Sequence, residues 1–497
     1  MLPKKTRALS TVALLIAGLL VASLLFTRHM QIHAAAAQNP APAQTPAPNP
    51  APAVQPLPPG TISFTAKALT SAQLLARMHL TESSYMTVAE YVDAIAKANS
   101  GKTNFKKGET ALIPGIEPQP VVEKSRPFPK DTEVRAIYLT GGTAGSARGV
   151  ELVRHWHQAG GNAVVFDIKD SDGLISIPFD HEFAGGQKSH PIPELPKFTR
   201  YVHSLGLHAI ARVAIFRDEH LVKLHPELAV HSRATGQAWK ENGKLVWTDP
   251  SQPKVQAYDI ALAKRVAESG ADEIQFDYVR FPAEGNQKDA EFYFQKEHPK
   301  WQRSDVIADF LKQAYAELHP TGVLLSLDVF GVMAWQRNVD LAHTGQDIVK
   351  MAQHCDVLSP MIYPSHFFGM DGIKRPGDAP EHFIAESMQR FELITKDSGV
   401  VLRPWLQAFA WRTHTYSAQY ILTQVKVAKE KGGDGFLFWN ANNDYSKPYA
   451  AMTQVAANHK AYFRGDEAAT AAVARPVQPA LPPDPALKIV SAANHRF

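Results

Sequence analysis

A charged side chain inside an apolar run costs several kcal/mol unless it is paired, solvated or put to use. The carboxylates that interrupt the strand-like runs of this chain are therefore its informative residues. Asp277 stands in EIQFDYVRF and Asp328 in LLSLDVFG. In extended backbone alternate residues share a face, which groups Gln275 with Asp277, Ser326 with Asp328, and Asp167 with Lys169 in AVVFDIKD. If those faces meet in one cleft, Asp277 and Asp328 come close and their pKa values are driven apart. One then suits a nucleophile or base and the other an acid. The competing readings are structural: Asp277 held by Arg212 or Arg280 in a buried ion network, and Asp167 neutralised by Lys169.

More polar residues gather where the same runs end: Asp170 and Asp172, Arg217 and Asp218, Tyr363, Gln407, then Trp439, Asn440 and Asn442. The catalytic candidates are Asp277, Asp328 and Asp167. The substrate-binding candidates are Lys169, Asp170, Arg212, Gln275, Arg280, Tyr363, Gln407, Trp439 and Asn440. Tyr278, Trp335, Tyr363, Trp405, Trp411 and Trp439 are candidate platforms for sugar rings, with ordinary core packing as the competing reading for each. Two carboxylates in an aromatic cleft are the equipment of glycoside cleavage.

Other chemistries fit less well. The 21 histidines form no H-x-H at a strand end, and His155 and His157 lie in a helical stretch where residues two apart do not share a face. No metal site is expected. Asp170-Ser171-Asp172-Gly173 opens like a calcium loop but lacks the later ligands. The Gly-rich TGGTAGSARG has neither dinucleotide nor P-loop spacing, so no nucleotide or other cofactor is expected. No G-x-S-x-G nucleophile elbow occurs. The single cysteine, Cys355, excludes an intrachain disulfide and any multi-sulfur metal site. With 52 Lys and Arg against 48 Asp and Glu, net charge +4, no basic face points to nucleic acid.

The elements that would position these residues are eight short apolar runs: 134–141, 163–170, 208–216, 273–281, 324–331, 357–364, 401–409 and 435–442. Amphipathic stretches separate them. Strands buried on both faces and alternating with helices imply parallel βαβ units, and eight of them imply an α/β (β/α)8 TIM barrel over 130–460, with its site at the C-terminal strand ends. A doubly wound sheet is the runner-up.

The 36 prolines concentrate outside that region. Lys4, Lys5 and Arg7 precede the uncharged run from Ala8 to Phe26, which reads as a signal peptide or transmembrane anchor within 1–33. The Ala/Pro-rich linker, 34–60, favours a semi-rigid polyproline spacer, and 465–497 reads as a disordered tail. The barrel would then be exported, held on the outer side of the cytoplasmic membrane or secreted or periplasmic if the signal is cleaved.

Between them, 61–120 is a small module. In YVDAIAKANSGKTNFKKGETALIPG, Val92, Ile95 and Ala96 recur at helical spacing, Asn99 ends the run, and Lys107-Gly108 turns into a strand at Ala111–Ile113. This resembles the second half of a LysM peptidoglycan-binding module, although no first strand is evident around Tyr85. The resemblance implies peptidoglycan as a partner; a packing extension of the barrel is the other reading.

VRAIYLTGGTAGS, NAVVFDIKDSDG, ARVAIFRDEHL, WTDPS at 247–251, GADEIQFDYVRFP and GFLFWNANNDY together resemble DUF4015, a bacterial family of glycoside-hydrolase-like barrels. The resemblance spans about 134–449. It implies a TIM barrel acting on a polysaccharide, with Asp277 as the signature's carboxylate and Arg280 as its fixed neighbour. It supplies no acid; Asp328 is the choice by geometry. The alternatives are a non-catalytic carbohydrate or cell-wall-binding barrel and a metal-dependent hydrolase or deacetylase.

Overall fold

The computed structural model describes residues 56–455 and 459–463. The expected signal or anchor, most of the Pro-rich linker and the tail lie outside the described residues. Among the described residues no helix is long and apolar enough to cross a membrane.

All eight apolar runs form strands, and they close into a parallel barrel. They are β1 (Val134–Leu139), β2 (Ala163–Lys169), β3 (His208–Ala214), β4 (Glu273–Asp277), β5 (Leu324–Phe330), β6 (Val357–Ile362), β7 (Val401–Leu402 with Trp405–Gln407) and β8 (Gly435–Trp439). Each pairs with its sequence neighbours, β8 with β1 and β5 with β6 included, so no open edge remains. The run 401–409 was expected as one strand. It is broken at Arg403-Pro404, where proline has no N–H for the ladder.

Alternation sorts the strands into two cores. Ile137, Leu139, Val164 and Phe166 face outward into the large cluster shared with the helices. Ala136, Tyr138, Val165, Ile210, Trp405 and Leu437 fill the barrel interior. At the N-terminal end the interior closes on Glu273, which accepts hydrogen bonds from Arg403 (2.8 Å) and bonds His208 (3.0 Å). Phe128 stacks on His208 with ring centres 3.8 Å apart. Gln275 sits one layer higher, donating to Ser359 Oγ at 3.2 Å.

The Gly-rich segment after β1 is a turn and a short helix, Gly141–Ala144, followed by a helix over Ala147–Gln158 capped by Ser146. The calcium-like segment is also a tight turn. Asp172 accepts from the Leu174 N–H, and Gly173 has φ +80° with Asp218 Oδ1 2.0 Å from where a Cβ would stand.

Residues 62–113 carry a separate small core of Leu75, Tyr91, Ile95, Phe105 and Ile113. Strands Ile62–Thr65 and Thr110–Ile113 pair antiparallel around helices Ala72–His79 and Val88–Ala98. The first strand, Ile62–Thr65, lies well before Tyr85 and has no apolar run to mark it. Asn99 ends the second helix as expected and stitches it to the last strand, donating to the Leu112 carbonyl and accepting from its N–H. Asp93 pairs with Arg154 at 2.6 Å and Glu90 pairs with Arg200, seating this piece on two barrel helices.

Candidate active site

Arg212 on β3 is the hub of the barrel mouth. Its Nη1 donates to Asp167 Oδ1 at 2.6 Å, and its Nη2 and Nε donate to Asp277 Oδ2 at 2.7 and 3.1 Å. Asp328 Oδ2 lies 3.9 Å from Nε, and Asp170 Oδ1 lies 3.3 Å from Nη1. β2, the loop after it, β4 and β5 thus deliver four carboxylates to one cation. Asp277 and Asp328 share the mouth-facing side of their strands, as period-two alternation requires.

Each inner carboxylate has a second anchor. The Tyr138 hydroxyl donates to Asp167 Oδ2. Trp405 Nε1 donates to Asp328 Oδ1 at 2.6 Å. The Tyr278 N–H donates to Asp277 Oδ1 at 2.6 Å, a contact made possible by a left-handed backbone, φ +54°. For a bulky aromatic residue that conformation is an outlier worth about 1–3 kcal/mol of strain.

Burial raises the Asp167 carboxyl to about 7, with Arg212 opposing and Asp170 adding to the rise. Burial, and then repulsion from Asp277, push Asp328 well above the usual carboxylate range. That shift favours the protonated form of Asp328 relative to an ordinary carboxyl. Asp328 is 1% exposed and forms the floor; Asp277, at 7%, is nearer the opening. Trp439 borders it, stacked on Tyr138 at 4.1 Å and beneath the Arg212 guanidinium at 5.2 Å. Tyr363 packs against His366 and Phe409, its hydroxyl pKa raised by burial and by Asp328.

Several expected placements are corrected. Lys169 does not share a face with Asp167, because a register irregularity between the two residues breaks the alternation. It turns away from the mouth and is fully buried between Asp218 (2.9 Å) and Asp259 (2.8 Å). Arg212, not Lys169, is the cation on Asp167. Arg280 is not paired with Asp277 either; it stacks on Phe330 and Trp247. Gln407 spends its side chain on the Ser365 N–H, the Phe409 carbonyl and Thr413, and Asn440 on the Ala408 and Asp444 carbonyls and the Asn442 N–H. Both hold loops together and offer a substrate little. Gln275 lies below the mouth, and Trp335 is buried beside Phe367. Trp411 stands half-buried against His366.

Tyr138 is the site residue the sequence reading did not single out. Its signal was faint: the inward face of β1, shared with Ala136, placing a hydroxyl at the height of the β2 carboxylate. Among the described residues no three His, Cys, Asp or Glu side chains are grouped as metal ligands; the mouth carboxylates converge on a guanidinium.

The family model described as "Putative glycosyl hydrolase domain", DUF4015, matches residues 136–445. The chain belongs to this family. No curated protein matches it. Among solved structures, a hypothetical protein from Ruminiclostridium thermocellum is 34% identical over 39% of this chain and 97% of its own, with a TM-score of 0.34. The PgaB (BpsB) glycoside hydrolase domain of Bordetella bronchiseptica is 12% identical, covering 64% of this chain and 98% of its own, TM-score 0.49. The Bacillus megaterium spore cortex-lytic enzyme SleL is 13% identical, covering 81% and 86%, TM-score 0.39.

Proposed function

We propose that the barrel hydrolyses a glycosidic bond in an extracellular or cell-wall polysaccharide. The observation that carries this reading is the set of carboxylates at the strand ends: Asp277, anchored by Arg212 and the Tyr278 N–H, beside Asp328, whose carboxyl is pushed well above the usual range by burial and by Asp277. A cationic oxocarbenium-like transition state is stabilised by such an acid-rich mouth. Asp277 attacks or stabilises the anomeric carbon, and Asp328 is the proton donor to the leaving oxygen. Asp167 holds Arg212 and Tyr138 in place, and Trp439 and Tyr363 take the sugar faces. The remaining assignments belong to the same proposal: an exported chain with its basic-flanked apolar segment at 8–26, a spacer to about residue 60, a LysM-like module at 61–120 that contacts peptidoglycan, and the catalytic barrel at 130–460.

A second reading is a barrel that binds glycan without cutting it. The ion pairs of Asp277 and the depth of Asp328 favour it, because both groups already have partners. The two readings separate in one assay: incubate the protein with bacterial exopolysaccharides and peptidoglycan glycans and follow new reducing ends. Hydrolysis gives time-dependent release; retention of a glycan with no release across the whole panel supports the binder instead.

A further inference from the structure

Two guanidinium groups beside Tyr278 lack the acid that such groups ordinarily find. Arg280 is 4% exposed and boxed by the rings of Phe330 (4.4 Å), Trp247 (4.7 Å) and Tyr278 (5.4 Å). Among the described residues the one hydrogen bond of its side chain runs from Nη1 to the Phe281 carbonyl, 3.0 Å. Glu241 and, more weakly, Asp277 act on it through space, from beyond ion-pair distance. Arg217, half-buried just after β3, lies 5.6 Å from the Tyr278 ring and has no ion pair or side-chain hydrogen bond among the described residues. A buried cation without a partner is unfavourable. A planar guanidinium packed among rings can still present an edge whose donors match carboxylate or phosphate oxygens.

The position of the pair gives it meaning. Tyr278 follows Asp277 directly and its N–H holds that carboxylate, so both arginines are registered to the reacting centre by one residue. Four acids collect around Arg212, whereas Arg217 and Arg280 lie around the Tyr278 ring.

We propose that Arg217 and Arg280 form a subsite for an anionic substituent, carboxylate or phosphate, on the sugar bound beside Asp277. The substrate class is then an acidic polysaccharide. This rests on the glycan reading above for the nature of the ligand.

The test uses the full-length Asp277→Asn protein, which removes turnover, in affinity electrophoresis against polygalacturonate, alginate and hyaluronan, each compared with its carboxyl-reduced form, and against a phosphomannan before and after phosphatase. At least one native acidic polymer is expected to bind about tenfold more tightly than its neutralised form. Arg217→Gln should abolish that preference and Arg217→Lys should restore part of it. Preference for the uronates assigns carboxylate; preference for the phosphomannan alone assigns phosphate. The proposal is overturned if no polymer shows a charge preference, or if the preference survives Arg217→Gln. Because binding needs no cleavage, failure of the hydrolase reading leaves this result interpretable. Conversely, cleavage confined to neutral glycans would keep the hydrolase and remove the anion subsite.

Discussion

Replacing Arg212 by Met removes the one cation shared by the buried carboxylates of the mouth. Its direct partners, Asp167 and Asp277, have side chains only 4% and 10% exposed. Breaking a buried ion pair by deleting one partner costs about 3 to 5 kcal/mol, since the other charge stays behind without compensation. The cost depends on pH with a definite sign. Even with Arg212 present, burial lifts Asp167 from 3.8 to about 7. Without Arg212, which opposes that rise, the folded pKa climbs further above its unfolded value. An acid raised on folding contributes stability that is complete below its unfolded pKa and is lost as pH rises through its folded pKa. The deficit of Arg212→Met against the parent should therefore stay small from pH 4 to about 7, where the parent's Asp167 still keeps much of its proton, and grow from there to pH 9. Urea unfolding of both proteins at intervals across that range measures it. A deficit equal at both ends of the range, or below about 1 kcal/mol at pH 9, would refute the shared-cation account.

Three further substitutions probe neighbouring parts of the structure. Lys169→Met strands Asp218 and Asp259, the latter already raised to about 6 by burial despite Lys169, and should cost about 3 to 5 kcal/mol at pH 8 in thermal or urea unfolding, with partial recovery at pH 5. Trp405→Phe deletes the 2.6 Å hydrogen bond to Asp328; it should cost about 1 to 3 kcal/mol and raise the Asp328 pKa further, because that bond draws it down. Trp439→Ala should weaken glycan binding about tenfold in affinity electrophoresis, with an unchanged circular dichroism spectrum, through loss of the stacking face.

The barrel was legible in the sequence because parallel strands are buried on both faces and so read as continuous apolar runs, visible from Val134–Leu139 to Gly435–Trp439. The shared face of Asp277 and Asp328 followed from alternation alone, since β4 and β5 are regular there. Alternation failed at Lys169, where one irregularity in β2 reversed the face, and a residue pattern does not announce a bulge. Gln407 and Asn440 were misplaced for a different reason. Polar side chains at strand ends also serve to tie loops or stack on rings, and residue type does not distinguish that work from ligand binding. Tyr138 passed as core because its ring is core; only its hydroxyl belongs to the site. In the small N-terminal module the first strand, Ile62–Thr65, stayed hidden because it is largely exposed and lacks an apolar run.

The central claim is that Asp277 does chemistry at a glycosidic bond. Its most direct test is the rate of reducing-end release by Asp277→Asn on whichever glycan the parent protein cleaves, with urea unfolding to show that the fold is intact. The account predicts a fall of about a hundredfold to ten-thousandfold in kcat. Undiminished release from a folded Asp277→Asn protein would contradict it.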